Sequence, residues 1–118
     1  MLSRIKLLEE VLDTLGAFIF TKDINGCYTY ANKAVQQLFN KSLEGIVGRD
    51  DSHFFDLSIY SQLKENDAKV MREGVTVENE ESNYLKEKNE LRTYHTIKKP
   101  LFDENNKVIG MCGISTDV

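Results

Sequence analysis

Along the first fifteen residues Ile5, Leu8, Leu12 and Leu15 recur at steps of three and four, with Leu7 and Val11 beside them. Arg4, Lys6, Glu9, Glu10 and Asp13 take the wet positions, so the spacing predicts an amphipathic helix that Gly16 ends. Two heptads are too short for a free-standing coiled coil. The stripe is expected to dock on the chain's own sheet or on the same helix of a second copy. The pattern then turns to strands. "AFIFTKD" is rich in β-formers, and "CYTYAN" alternates Tyr28 and Tyr30 with Cys27, Thr29 and Ala31. Asn25-Gly26 between them takes positive φ cheaply and predicts a tight antiparallel hairpin. Asn32 suits a helix N-cap, and Ala34, Val35, Leu38 and Phe39 follow at helical spacing.

Gly45 and Gly48 mark a loop, and "DSHFFDL" reads as one helical turn capped by Asp51 or Ser52. A longer helix is expected from Ser58 to Glu73, with Tyr60, Leu63, Val70 and Met71 inward and Gly74 as terminator. The period then becomes two. "VTVENEESNYL" and "LRTYHTIKKPLF" predict long strands joined by a polar turn, with Pro100 ending the second one's pairing. "DENNK" is a further turn and "VIGMCGISTDV" a last strand. This order predicts an α+β fold: a five-stranded antiparallel sheet with helices on one face and an N-terminal amphipathic helix. Helices that lie between two strand groups must cover the sheet like a lid, which leaves room for an internal cavity.

Composition narrows the function. A chain of 118 residues, 41% hydrophobic, supports one domain with one core. A net charge of -4, with Lys98-Lys99 the one basic pair, argues against a nucleic-acid partner. "GAFIF" is too short to cross a bilayer, and the acids of the first helix do not fit a signal peptide, so a cytoplasmic location is expected. Cys27 and Cys112 are far apart, without a C-x-x-C pair, and read as ordinary half-buried thiols.

Three stretches resemble the PAS domain, the sensory module of bacterial signal-transduction proteins. "DINGCYTYANKA" resembles the family's D-x-x-G-x-h-x-h-x-N-x-A signature, where h is hydrophobic. "LEGIVGRDD" resembles its helix-connecting loop with spaced glycines, and "KKPLFDENNKVIGMCGISTDV" its final hairpin. Asn106 departs from the pattern, standing where the last turn usually carries Gly. The resemblance implies a PAS domain over 16–118 preceded by the flanking helix 1–15, and a sheet order of 2-1-5-4-3. That order separates Cys27 from Cys112 by a strand, too far for a disulfide. It also implies that Asn32 and Gly26 are structural corner residues at the wall of a ligand cavity.

The family sometimes holds haem or flavin. Haem needs an axial His on the long helix, which has none, and His53 reads as a capping or surface residue. Covalent flavin photochemistry needs a Cys on the short helices, and Asn40 to Met71 contains none, so it is excluded. No Cys/His cluster supports a metal, and no catalytic constellation is legible, so the chain is expected not to be an enzyme. Glu78, Glu80 and Glu81 read as a solvated edge, and Asp50-Asp51 as a cap rather than a dyad. For a small organic ligand the candidate contacts are Tyr30, Phe39, Phe55, Tyr94, His95 and Ser115. Thr116 and Asp117 are the candidate output junction, and Ile5, Leu8, Leu12 and Leu15 the candidate surface of a homodimer. The expected function is sensing and dimerisation that regulates a C-terminal GGDEF diguanylate cyclase or a histidine kinase of a two-component system. The alternatives are a ligand-free interaction module and, last, a small cone-shaped α+β enzyme.

Overall fold

The computed structural model describes residues 2–118, and its elements run α1 (Arg4–Thr14), β1 (Phe18–Asp23), β2 (Tyr28–Ala31), α2 (Lys33–Phe39), α3 (Leu43–Ile46), α4 (Leu63–Glu73), β3 (Val77–Leu85), β4 (Glu90–Phe102) and β5 (Val108–Asp117). A single 3-10 turn, Asp51–His53, precedes α4. The strands form one antiparallel sheet of order β2-β1-β5-β4-β3, as the resemblance implied. The chain's last strand is therefore its central one. Gly113 sits there because Phe20 of β1 lies over it: a Cβ would come within 2.3 Å of the Phe20 ring. Among the described residues no helix is long and apolar enough to cross a membrane.

The corner from β2 into α2 is held by Asn32, which is 1% exposed. Its Oδ1 accepts from Ile19 N at 3.2 Å and Val35 N at 3.3 Å, while its Nδ2 donates to the carbonyls of Leu12 at 3.0 Å and Ala17 at 2.8 Å. One side chain thus caps α2, pins β1 and ties down the end of α1. Beneath the helices the core is aromatic. Phe39 and Phe54 stack at 4.3 Å, and Tyr28 meets them edge-on at 6.0 and 5.6 Å. Both geometries suit ring quadrupoles.

Several local expectations change. In the β1–β2 loop only Gly26 takes positive φ (+82°), with Gly26 N donating to Asp23 O at 3.0 Å. Asp23 Oδ1 accepts from the Asn25 and Cys27 amides and closes the longer loop. Gly45 lies inside α3 rather than in a loop, and Asp50, not Asp51 or Ser52, caps the 3-10 turn. The long helix begins at Leu63, not Ser58, because the preceding segment instead bonds along the edge of β3. Asp56 N donates to Tyr84 O, Tyr84 N to Tyr60 O, and Gln62 N to Ser82 O. This segment shields an edge that would otherwise be open to aggregation, and it leaves Tyr60 exposed rather than inward. Pro100 does not end the pairing of β4, since it lies opposite Met111. The pairing of β3 with β4 starts only at Val77 opposite Lys98, so β4 has a free side where the proline's missing N–H costs nothing.

Asn32→Ala should lower stability by about 2–4 kcal/mol, combining a lost cap with stranded buried groups. Asn32→Asp, which keeps the acceptor and loses both donors, should fall between it and wild type. Urea unfolding checks both, and a loss below about 1 kcal/mol for the alanine variant would remove the corner from the account.

Candidate functional site

Between the sheet and the helices lies a cavity of about 50 Å³. One end is apolar, walled by Phe18, Phe20, Phe39 and Phe55, with the rings of Phe18 and Tyr94 4.9 Å apart. The other end is ionic. Strand alternation puts Lys22 on the same face as Phe18 and Phe20, and Lys98 on the same face as Tyr94 and Thr96. These two lysines are 2% and 1% exposed, a degree of burial that requires paired charges.

The pairs draw on five separate elements, with the lysines on β1 and β4. Lys22 Nζ lies 2.5 Å from Asp51 Oδ2, in the 3-10 turn, and 2.6 Å from Asp67 Oδ2, on α4. Lys98 Nζ lies 2.6 Å from Asp67 Oδ1 and 2.6 Å from Glu81 Oε2, on β3. Asp67 thus bridges both ammonium groups with its two oxygens. Tyr28 donates its hydroxyl hydrogen to Asp51 Oδ1, and Asn83 Nδ2 donates to Glu81 Oε1 at 2.9 Å. Asn83 Oδ1 accepts from the Gln62 and Leu63 amides, capping α4, whose own N-cap residue makes no such bond. Among the described residues, every buried side-chain polar atom has a partner.

The charges shift one another. Burial works to depress Lys22, but the carboxylates of Asp51 and Asp67 outweigh it and hold the lysine above its ordinary value. Burial likewise works to raise Asp67, and Lys22 and Lys98 reverse that to a lowered pKa. For Tyr28, burial and the neighbouring Asp51 act together and push the phenol well above its usual range. Lys22 also lies 5.0 Å from the Tyr28 ring centroid, within cation–π reach.

Of the candidate ligand contacts, Phe39, Phe55, Tyr94 and Ser115 line the cavity, whereas Tyr30 and His95 do not. Tyr30 is displaced by a β-bulge. Tyr28 pairs with Lys22 and Tyr30 with Thr21, so the extra residue Thr29 puts the two tyrosines on opposite faces. Tyr30 instead lies near α1, where burial and the acids Asp13 and Glu9 raise its pKa. His95 is on the outer face, its Nε2 2.9 Å from Glu78 Oε2. Glu81 leaves the solvated edge that Glu78 and Glu80 keep, and Asp51 is buried rather than capping. Thr116 and Asp117 are exposed at the end of β5, and Ser115 just before them bonds Thr96 at 2.9 Å inside the cavity.

Sequence reading missed Lys22, Asp51, Asp67, Glu81, Asn83 and Lys98. Period two contained part of the signal, since Lys22 shares the phase of Phe18 and Phe20. Nothing local marked Asp67, on a helix whose other charges are wet. The chemistry available is binding by charge and hydrogen bond, with no group of three His, Cys, Asp or Glu among the described residues placed to hold a metal.

Comparison with known proteins places this geometry in a family. The PAS fold family matches residues 12–118, and the chain belongs to it. The chain is 33% identical over 113 residues to a diguanylate cyclase of Vibrio cholerae serotype O1, covering 95% of this chain and 35% of that one. It is 29% identical to the methanogenesis regulatory histidine kinase FilI of Methanothrix harundinacea, covering 96% of this chain and 12% of the kinase. The chain thus spans about a third or less of these relatives. Among solved structures, the PAS domain of a Colwellia psychrerythraea protein matches with a TM-score of 0.74 at 19% identity, over 98% of both chains. The chain is a PAS domain homologous to regions of a diguanylate cyclase and a histidine kinase, a kinship that supports a sensory module.

The shifts set a pH profile. Asp67 titrates near pH 3.9 when unfolded and lower when folded, so its contribution is complete above about pH 4 and lost as pH falls through the folded value. Lys22 and Tyr28 titrate near 10.4 and 10 when unfolded and higher when folded. Their contributions are complete below about pH 10 and lost as pH rises through the folded values. Melting temperature by circular dichroism should therefore be flat between about pH 5 and 9 and fall on both sides. In Lys98→Met, which among the described residues removes the one ammonium partner of Glu81 and leaves Asp67 with Lys22 alone, stability at pH 7 should drop by about 3–5 kcal/mol. A drop below about 1 kcal/mol would contradict the pairing.

Proposed function

We propose that this chain is a cytoplasmic sensory and dimerisation module that takes up a small organic molecule and controls a C-terminal output domain, a GGDEF diguanylate cyclase or a histidine kinase. The observation that carries the reading is its 33% identity to one third of a diguanylate cyclase. Signalling is a population shift: occupancy favours one placement of β5 and the flanking helices over another. β5 suits that role, since Ser115 lines the cavity and the next two residues, Thr116 and Asp117, lead out of it. Asp117 is a good N-cap for a following helix and complements its dipole.

Dimerisation is assigned to α1, none of whose residues is buried. Ile5, Leu8 and Leu15 are 71, 57 and 59% exposed, a stripe that a second copy would cover. The reading gives no role to haem, covalent flavin or a metal, because the segment 40–71 lacks Cys and α4 lacks His. It gives the chain no catalytic step either, since the buried acids are already engaged by lysine, tyrosine and amide donors.

The size of the cavity favours a second reading. Some 50 Å³ is about a third of the roughly 150 Å³ that accommodates benzene, which suits a filled, ligand-free interaction module. Native mass spectrometry of freshly purified protein separates the two, a retained small molecule supporting the sensor and a bare chain the interaction module. Fused to a GGDEF domain, the chain should lose normal regulation when four residues are inserted after Asp117, and unchanged cyclase control would reject the coupling. Light scattering should show a dimer that Ile5→Glu with Leu8→Glu converts to monomer; a monomeric wild type would reject the role of α1.

A further inference from the structure

The ionic end of the cavity has unequal hydrogen-bonding capacity left over. Each carboxylate oxygen of Asp51, Asp67 and Glu81 already accepts at least one hydrogen bond. Donors are not exhausted. An ammonium carries three N–H groups, and Lys22 and Lys98 each meet two carboxylates, so each keeps one hydrogen. Asn83 spends one amide hydrogen on Glu81 and keeps the other. The Thr96 and Ser115 hydroxyls share a single bond, which leaves one hydrogen between them. All five of these donor residues line the cavity. An oxygen tolerates an empty lone pair better than a buried donor tolerates an unpaired hydrogen.

Charge narrows the occupant further. Two ammonium groups against three carboxylates leave one net negative charge at this end, and Arg92 at the rim is matched by Glu90 at 2.7 Å. A ligand carboxylate would add a second negative charge in a poorly solvated space, which Coulomb's law disfavours. A ligand cation would find no bare carboxylate oxygen and would face two ammonium groups. An uncharged acceptor meets neither obstacle. The volume holds only a few heavy atoms, enough for a carbonyl head, with its short apolar body against Phe39 and Phe55.

We infer that the occupant is a small uncharged carbonyl compound whose oxygen accepts from the spare hydrogens of Lys22 and Lys98 while its apolar part lies against the phenylalanine wall. This rests on the cavity-sensing reading and specifies its ligand class. Acetamide, acetate and acetamidinium form a planar series of nearly equal shape that differs in charge. Each is titrated to 100 mM, roughly the range where so small a ligand saturates, into the isotope-labelled 118-residue chain at matched ionic strength. The readout is the nuclear magnetic resonance of the Lys22 and Lys98 ammonium groups and the Phe39, Phe55, Tyr94 and Ser115 amides. Acetamide should shift these signals saturably, with an affinity about tenfold or more above those of the two ions, consistent with desolvated charge. A preference for acetate or acetamidinium would overturn the ligand class and leave the cavity reading intact. If none of the three moves these signals, both the ligand class and the cavity reading fall.

Discussion

Two ammonium groups sealed from water govern the interior of this domain. Lys22 and Lys98 stand on strands that flank β5, and neither can remain charged there without carboxylates. Those carboxylates come from a 3-10 turn, a helix and an edge strand, so the charge requirement fixes how the lid sits on the sheet. Asp67 is the hinge of the arrangement because each of its oxygens serves a different lysine. Relative to an apolar core of equal volume, such a network adds little net stability. What it does is penalise every arrangement in which one partner leaves.

The same network divides the cavity into an ionic end and an apolar end. Gly113 makes the division possible, since only a residue without a side chain lets the Phe20 ring lie across the central strand. The ionic groups then stand beside an aromatic wall, and both contact β5 or its neighbours. On the proposed reading, a molecule that engages the lysines disturbs the ties to α4 and to the 3-10 turn, while Ser115 passes the change to the end of β5. The central position of the last strand gives that route its leverage, because β5 pairs with β1 on one side and β4 on the other.

Away from the cavity, α1 follows a different logic. Its end is fastened by Asn32 and by Asp13 Oδ1, which accepts from Lys33 N at 2.8 Å, yet its apolar stripe touches no core. An amphipathic helix gains its stability from covering that stripe. The proposed dimer supplies the cover, and it would place the partner's helix next to a corner that also holds β1 and α2.

Much of the fold was legible in the sequence. Periods of 3.6 and 2 marked most elements, the Asn32 cap marked the corner, and the family resemblance supplied the strand order. The errors arose where a local pattern has more than one solution. Thr29 inserts a bulge that separates Tyr28 from Tyr30, and residues 58–62 bond to β3 instead of extending α4. The aromatic half of the site was readable for the same reason as the core, because large apolar residues go inside. The ionic half was not. Isolated charged residues read as solvated, and only the folded chain brings Lys22 to Asp51 and Asp67, and Lys98 to Asp67 and Glu81. The sequence by itself determined the elements, the α+β class and the apolar wall, because these follow from local periodicity and side-chain hydrophobicity. Tertiary structure alone decided which charges are buried, because burial of a charge depends on a partner that arrives from elsewhere in the chain.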